Sequence, residues 1–142
     1  MPTQTEEFLR SHPRGTGDAD VDLLKTAVER LAACAQSCTA CADACLGEAD
    51  AAALVGCVRL NLDCADVCSA AERVLTRRTE PDPEVHRGLL EAAVLATGAC
   101  ARECERHSER HEHCRLCADR CRLAEDACRQ VLLQVQEQEQ EK

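Results

Sequence analysis

Apolar and cysteine positions recur along this chain at helical spacing. Leu24, Val28 and Leu31 are followed at the same steps of four and three by Cys34, Cys38, Cys41 and Cys45. The step of four, three and four returns in Cys57, Asn61, Cys64 and Cys68, and again in Cys100, Cys104, His107 and His111. A last copy is Cys117, Cys121, Ala124 and Cys128, with Cys114 three residues ahead of it. Residues three and four apart share one face of an α-helix, so four stretches each carry a stripe of thiols along one face.

The signals for helix ends fit four long helices. The first spans about Asp20–Leu46, capped by Asp18 or Asp20 and closed by Gly47. The second starts near Asp50 and reaches about Thr76. Residues 77–83 form the clearest break, and Asp82 followed by Pro83 marks the start of the third helix. That helix extends to about Ser108. A tight connection around Glu109–Glu112, without Gly or Pro, leads into a fourth helix reaching about Val135. The expected organisation is an N-terminal segment over residues 1–17, either a short helix or disordered. A bundle domain over 18–136 and a Gln/Glu-rich frayed tail over 137–142 follow.

Short connections make consecutive helices antiparallel, so the fold class is all-α, an up-down-up-down four-helix bundle. The cysteines fall in the C-terminal halves of the first and third helices and mostly in the N-terminal halves of the second and fourth. In an antiparallel bundle those halves coincide, and the thiols converge in one portion of a single core. The other portion is left to Leu24, Val28, Leu31, Val74, Leu75, Leu89, Leu90, Ala93, Val131, Leu132 and Val135. Cys34 to Cys45 spans about 16 Å at the helical rise of 1.5 Å per residue, so the thiols line a tube.

Composition narrows the chemistry. At 142 residues the chain is one domain. It has no Trp or Tyr and one Phe against thirteen Cys, so thiols must act as core residues as well as ligands. A net charge of −9 argues against nucleic acid, whose binding rests on clustered Lys and Arg. No stretch approaches the roughly 20 apolar residues of a membrane span, and the first residues lack a secretory or twin-arginine signal. The expected location is the cytoplasm, where thiols stay reduced.

Soft thiolates favour Cu(I), zinc and iron–sulfur clusters. Structural zinc wants four ligands around one point, usually in turns, and an iron–sulfur cluster wants four thiolates around one compact core. A long stripe suits neither. The i,i+4 pairs Cys34/Cys38, Cys41/Cys45, Cys64/Cys68, Cys100/Cys104 and Cys117/Cys121 can each grip one Cu(I), and bridging thiolates can join ions into a chain. The sequence therefore points to multiple Cu(I) ions held by Cys34, Cys38, Cys41, Cys45, Cys57, Cys64, Cys68, Cys100, Cys104, Cys114, Cys117, Cys121 and Cys128. His107 and His111 continue the third stripe outward, and His113 lies beside them. All three are candidate copper ligands at an open mouth. His12 and His86 have no ligand context and read as surface residues. Asn61 stands where a cysteine would complete its stripe and must find hydrogen-bond partners, as a cap for a thiol or water near the mouth. Gly56 and Gly98, inside helices, suggest close helix approach.

The stripes CAQSCTACADAC (34–45), CVRLNLDCADVC (57–68), CARECERH (100–107) and CRLCADRCRLAEDAC (114–128) resemble the four-helix-bundle copper storage proteins of bacteria, in their cytosolic branch. The resemblance covers about Asp20 to Val135. It implies cytosolic Cu(I) storage on inward-facing cysteines, a homotetramer of bundles, and filling through one open end bearing His or Met; a store of this kind is expected not to be an enzyme. The expected partners are copper ions and a cytosolic copper chaperone. The alternative readings are a zinc-thiolate buffer or structural zinc protein, and a thiol redox enzyme built on Cys114-x-x-Cys117 near a helix start. A di-iron bundle needs Glu-x-x-His, which the sequence lacks.

Overall fold

In the computed structural model, which describes residues 1–141, six helical elements follow one another. They are α1 (Gln4–Ser11), α2 (Val21–Leu46), a 3₁₀ turn (Ala51–Leu54), α3 (Val55–Thr76), α4 (Pro83–Glu105) and α5 (Glu112–Gln140). Helix α2 packs on α3 and α5, and α4 packs on the same two, so α2 to α5 stand at the corners of a square. This is the four-helix bundle expected from the spacing. Helix α1 lies against α2. No helix among the described residues is long and apolar enough to cross a membrane.

Local chemistry sets the helix ends. The Asp20 carboxylate accepts from the amides of Asp22 and Leu23 and starts α2. Asp82 does the same for Glu84 and Val85 at the start of α4, with Pro83 in the first turn. Both satisfy amides that otherwise lack a helical partner. Gly47 ends α2, its amide donating back to carbonyls of the last turn.

Several expectations change. Helix α4 stops at Glu105, because the chain turns over 106–110, with the His107 amide on the Cys104 carbonyl at 3.0 Å and the His111 amide on the His107 carbonyl at 3.0 Å. His107 and His111 therefore do not continue a helical stripe. Helix α5 does not fray after residue 136 but runs to Gln140, held by Gln138 donating to the Asp18 carbonyl at 2.7 Å and by Arg87 on Glu139 at 2.6 Å. The last residue of the expected frayed tail, 142, lies outside the described residues. His86 is buried rather than on the surface, 6% exposed. It opens a stripe on α4 that continues through Leu90, Ala93, Thr97, Cys100 and Cys104, all buried.

Burial and repulsion from Arg78 hold the His86 imidazole below its ordinary pKa. The folded protein resists a proton that the unfolded chain accepts near pH 6.5. Its contribution to stability is therefore complete above that pH and declines as pH falls toward the lowered folded value. Urea midpoints of the copper-free protein should drop between pH 7.5 and 5.5, and His86→Asn should drop less. Equal slopes would contradict the assignment.

The core divides along its length. At one end Leu24, Ala27, Val28, Leu31, Leu75, Leu90 and Val131 are buried, and at the other every cysteine is buried, none more than 1% exposed. Gly98 explains one close approach, since a Cβ there would sit 2.8 Å from Glu125 Oε2 on α5. Gly56 has no such constraint: a Cβ there would meet Glu103 at an ordinary 3.6 Å.

Candidate metal site

The thiols form a connected lattice with contributions from all four long helices. Cys34 Sγ lies 3.8 Å from Cys38, 3.9 Å from Cys64 and 3.7 Å from Cys121. Cys38 Sγ lies 3.9 Å from Cys100, 3.7 Å from Cys121 and 3.8 Å from Cys117. Nearer the mouth, Cys57 meets Cys104 at 3.8 Å and Cys41 meets Cys114 at 3.9 Å. All thirteen cysteines are free.

Four groups of sulfurs lie within 4.8 Å of one another: Cys34, Cys38, Cys64 and Cys121; Cys38, Cys100, Cys117 and Cys121; Cys41, Cys45, Cys57 and Cys114; and Cys41, Cys104 and Cys117. Sulfur spacing does not by itself choose the metal. Metal–sulfur bonds of about 2.3 Å place sulfurs roughly 4 Å apart in either trigonal or tetrahedral geometry. Sharing is more informative. Cys38, Cys41, Cys117 and Cys121 each belong to two groups, which suits ions joined through bridging thiolates rather than separate four-ligand clips.

Two of the thirteen cysteines stand apart. Cys68 lies 3.8 Å from Cys64 and also interacts with Cys34, but neither Cys68 nor Cys128 joins a group. Both lie at the deep end, where the thiol core meets the apolar core. The pair Cys100/Cys104 does not close on one point, because the two join different groups. Asn61 Oδ1 lies between them, accepting from Cys100 at 3.2 Å and Cys104 at 3.9 Å.

Asn61 is fully buried in mid-tube rather than at the mouth. Its amide nitrogen donates to the Cys57 carbonyl at 2.8 Å and to Cys57 Sγ at 3.3 Å, while Oδ1 also accepts from Cys117 at 3.0 Å. One side chain thereby orients thiols from α3, α4 and α5. Replacing it with Ala leaves a void and strips partners from these thiols, at a cost of about 1–3 kcal/mol. Chemical denaturation of the copper-free Asn61→Ala protein checks this, and unchanged stability would contradict it.

Protonation is shared across the lattice. Hydrogen bonds from Cys104 and Cys41 hold the Cys57 thiol below its ordinary pKa, and those from Cys100 and Cys104 do the same for Cys117. Cys104 and Cys121, which keep their protons, are pushed up by hydrogen bonds with Cys100 and Cys117. At the deep end burial, followed by repulsion from Cys34 and Cys64, pushes Cys128 up to about 12. A soft cation that displaces these protons removes the cost of burying thiolate.

The loops at residues 47–54 and 106–111 meet at the thiol end. His113 is the histidine that touches the lattice, with Nδ1 3.4 Å from Cys41 Sγ and 3.7 Å from Cys114 Sγ. Its Nε2 is buried without a hydrogen-bond partner, 3.7 Å from Glu48 Oε2. His111 stacks on it at 5.4 Å between ring centres and is held by Glu48 and by Asp50, the latter at 3.2 Å. Glu48, His111 and His113 bring ligand atoms within 4.8 Å of one another. His107 is outside this group, its Nε2 on Glu103 Oε1 at 3.1 Å. Sequence reasoning missed Glu48 and Asp50. Their one signal was position, in the loop directly after Cys45.

A four-helix bundle packed at one end with bridging-competent thiols and opening onto two histidines is a container for several soft metal ions. The chain belongs to the copper storage protein family, whose family model, described as "Csp: Copper storage protein", matches residues 20–133. It is similar to a copper storage protein of Streptomyces lividans, Ccsp, solved with 10 copper equivalents. The two share 45% identity over 92% of this chain and 98% of that one, at a TM-score of 0.90. A structure of a cytosolic copper storage protein from the same organism with five coppers is 47% identical over 79% of this chain and 93% of that one, at a TM-score of 0.78. An uncharacterised cysteine-rich protein of Bacillus subtilis, YhjQ, is 32% identical over 65 residues, 46% of this chain. The match spans 55% of that relative's length.

Proposed function

We propose that this protein stores copper as Cu(I) in the cytoplasm. The ions sit on the thiolates of the four shared groups, with Cys68 and Cys128 extending the store at its deep end. Supporting the oxidation state, the buried ligands are soft sulfur atoms, the donors that select Cu(I). The sharing of Cys38, Cys41, Cys117 and Cys121 between groups carries the reading, because it permits many ions in one continuous core. Free thiols in contact at 3.7–3.9 Å fit a reducing compartment, and the Streptomyces lividans relative is described as cytosolic.

The expected partners are copper ions and a cytosolic copper chaperone, and the expected role is a store rather than an enzyme. Exposed Leu62, Leu95, Leu116 and Leu123 support assembly into a homotetramer, which light scattering would test. Anaerobic titration with Cu(I) against a chromophoric competitor tests the function. Uptake should continue well past four ions per chain and resist excess zinc. Saturation at one or two ions, or displacement by zinc, would favour a zinc-thiolate protein.

His111 and His113, with Glu48, form the intake site, and His107 lies beside them at the mouth. His113 bridges this site and the lattice through Cys41. Changing His111 and His113 to Ala should slow loading by about tenfold, the usual penalty for removing a supporting metal contact, while leaving final capacity near wild type. Stopped-flow loading and end-point titration read the two quantities separately. Lost capacity at unchanged rate would place these histidines in the store itself.

A further inference from the structure

The end of the bundle away from the thiols contains a second candidate site. A cavity of about 320 Å³ opens there between α2, the end of α3, the first turns of α4 with His86, and α5, within the size range of small-molecule pockets, roughly 300–1,000 Å³. Leu24, Leu75, Val131 and Val135 give it an apolar lining. Arg78 supplies one cation. It is 9% exposed, its Nε is buried without a hydrogen-bond partner, and its Nη1 donates only weakly, at 3.4 Å, to the Leu75 carbonyl.

No carboxylate among the described residues forms a salt bridge with Arg78. Burial lowers its pKa, the mark of a guanidinium deprived of water. A buried, unpaired cation is costly, and an anion with hydrogen-bonding oxygens is what relieves it. The acidic residues on the rim do not fill that role. Glu139 is engaged by Arg87 at 2.6 and 2.8 Å, and Asp18 and Glu141 are exposed to screening solvent. Across the rim, Gln134 accepts from the Asp20 amide at 3.1 Å and Gln138 donates to the Asp18 carbonyl at 2.7 Å, bracing the opening.

We propose that this cavity binds a small aliphatic monocarboxylate, with the carboxylate on Arg78 and the chain along Leu24, Leu75, Val131 and Val135. Inorganic phosphate satisfies the cation but leaves the apolar lining uncovered. An alcohol of equal length does the reverse. The site is separate from the thiols, so occupancy does not compete with copper.

Calorimetric titration of the full, copper-free chain with sodium octanoate, 1-octanol and sodium phosphate tests this. Octanoate should bind saturably at one site, at least about tenfold tighter than octanol, as expected for a charge-assisted hydrogen bond. Phosphate should bind more weakly than octanoate. Arg78→Met should weaken octanoate about tenfold or more, and Arg78→Lys should restore part of the loss. Val135→Phe, which fills the cavity and keeps the charge, should also weaken it. Copper capacity and helical circular dichroism of each variant confirm an intact bundle. If Arg78→Met does not fold, the octanol comparison and Val135→Phe still decide. Octanoate binding no tighter than octanol or phosphate, or unaffected by Val135→Phe, would overturn the proposal. So would unchanged octanoate affinity in a folded Arg78→Met variant.

Discussion

Copper loading is expected to raise the melting temperature of this protein by at least about 8 °C. A ligand that binds only the folded state, held at a thousand times its dissociation constant, adds about 4 kcal/mol per site. Each kcal/mol moves the midpoint by about 2–8 °C for domains of this size range, so one filled site reaches that figure and several exceed it. The tertiary structure supplies the reason. The groups Cys34/Cys38/Cys64/Cys121 and Cys38/Cys100/Cys117/Cys121 draw on α2, α3, α4 and α5 together, so each bound ion ties helices that the unfolded chain leaves far apart. Calorimetry before and after stoichiometric loading measures the shift. A midpoint that does not move would mean copper binds at sites equally available in the unfolded chain.

Exchanging Cys38 and Cys121 together for Ser should lower capacity by at least about two ions, since serine oxygen lacks the softness Cu(I) selects. Both residues belong to two groups, and their loss leaves Cys34 with Cys64 and Cys100 with Cys117. The double change of Cys68 and Cys128 removes the same number of thiols but touches no group, and should cost at most about one ion. Titration of the two variants side by side, with helix content as a control, compares location at constant thiol number. Equal losses would show that capacity follows cysteine count alone. A larger loss from Cys68 and Cys128 would move the store to the deep end.

Much of this was legible in the sequence because helices convert spacing into direction. A step of four, three and four places side chains on one face whatever lies opposite, so local periodicity alone places the buried cysteines of α2, α3 and α5. Asp20, Asp82 and Pro83 likewise set helix starts through contacts only two or three residues long. Periodicity misleads where the chain leaves a helix. His107 and His111 carry the right spacing, but the turn at 106–110 redirects them, sending His107 to Glu103 and His111 to Glu48 and Asp50. His86 keeps the helical step with Leu90 and Ala93, and that continuity is the sequence signal of its burial.

The sequence by itself determined that thiols would line the inner face of an all-helical bundle, since that follows from local periodicity and from a core without Trp or Tyr. Only the tertiary structure decided which sulfurs share a point, that Asn61 stands among them in mid-tube, and that His113 reaches Cys41 from the mouth. Those outcomes depend on the register between helices far apart in the chain. A shift of one helical turn, about 5.4 Å, would exchange every sulfur's neighbours without altering any stripe.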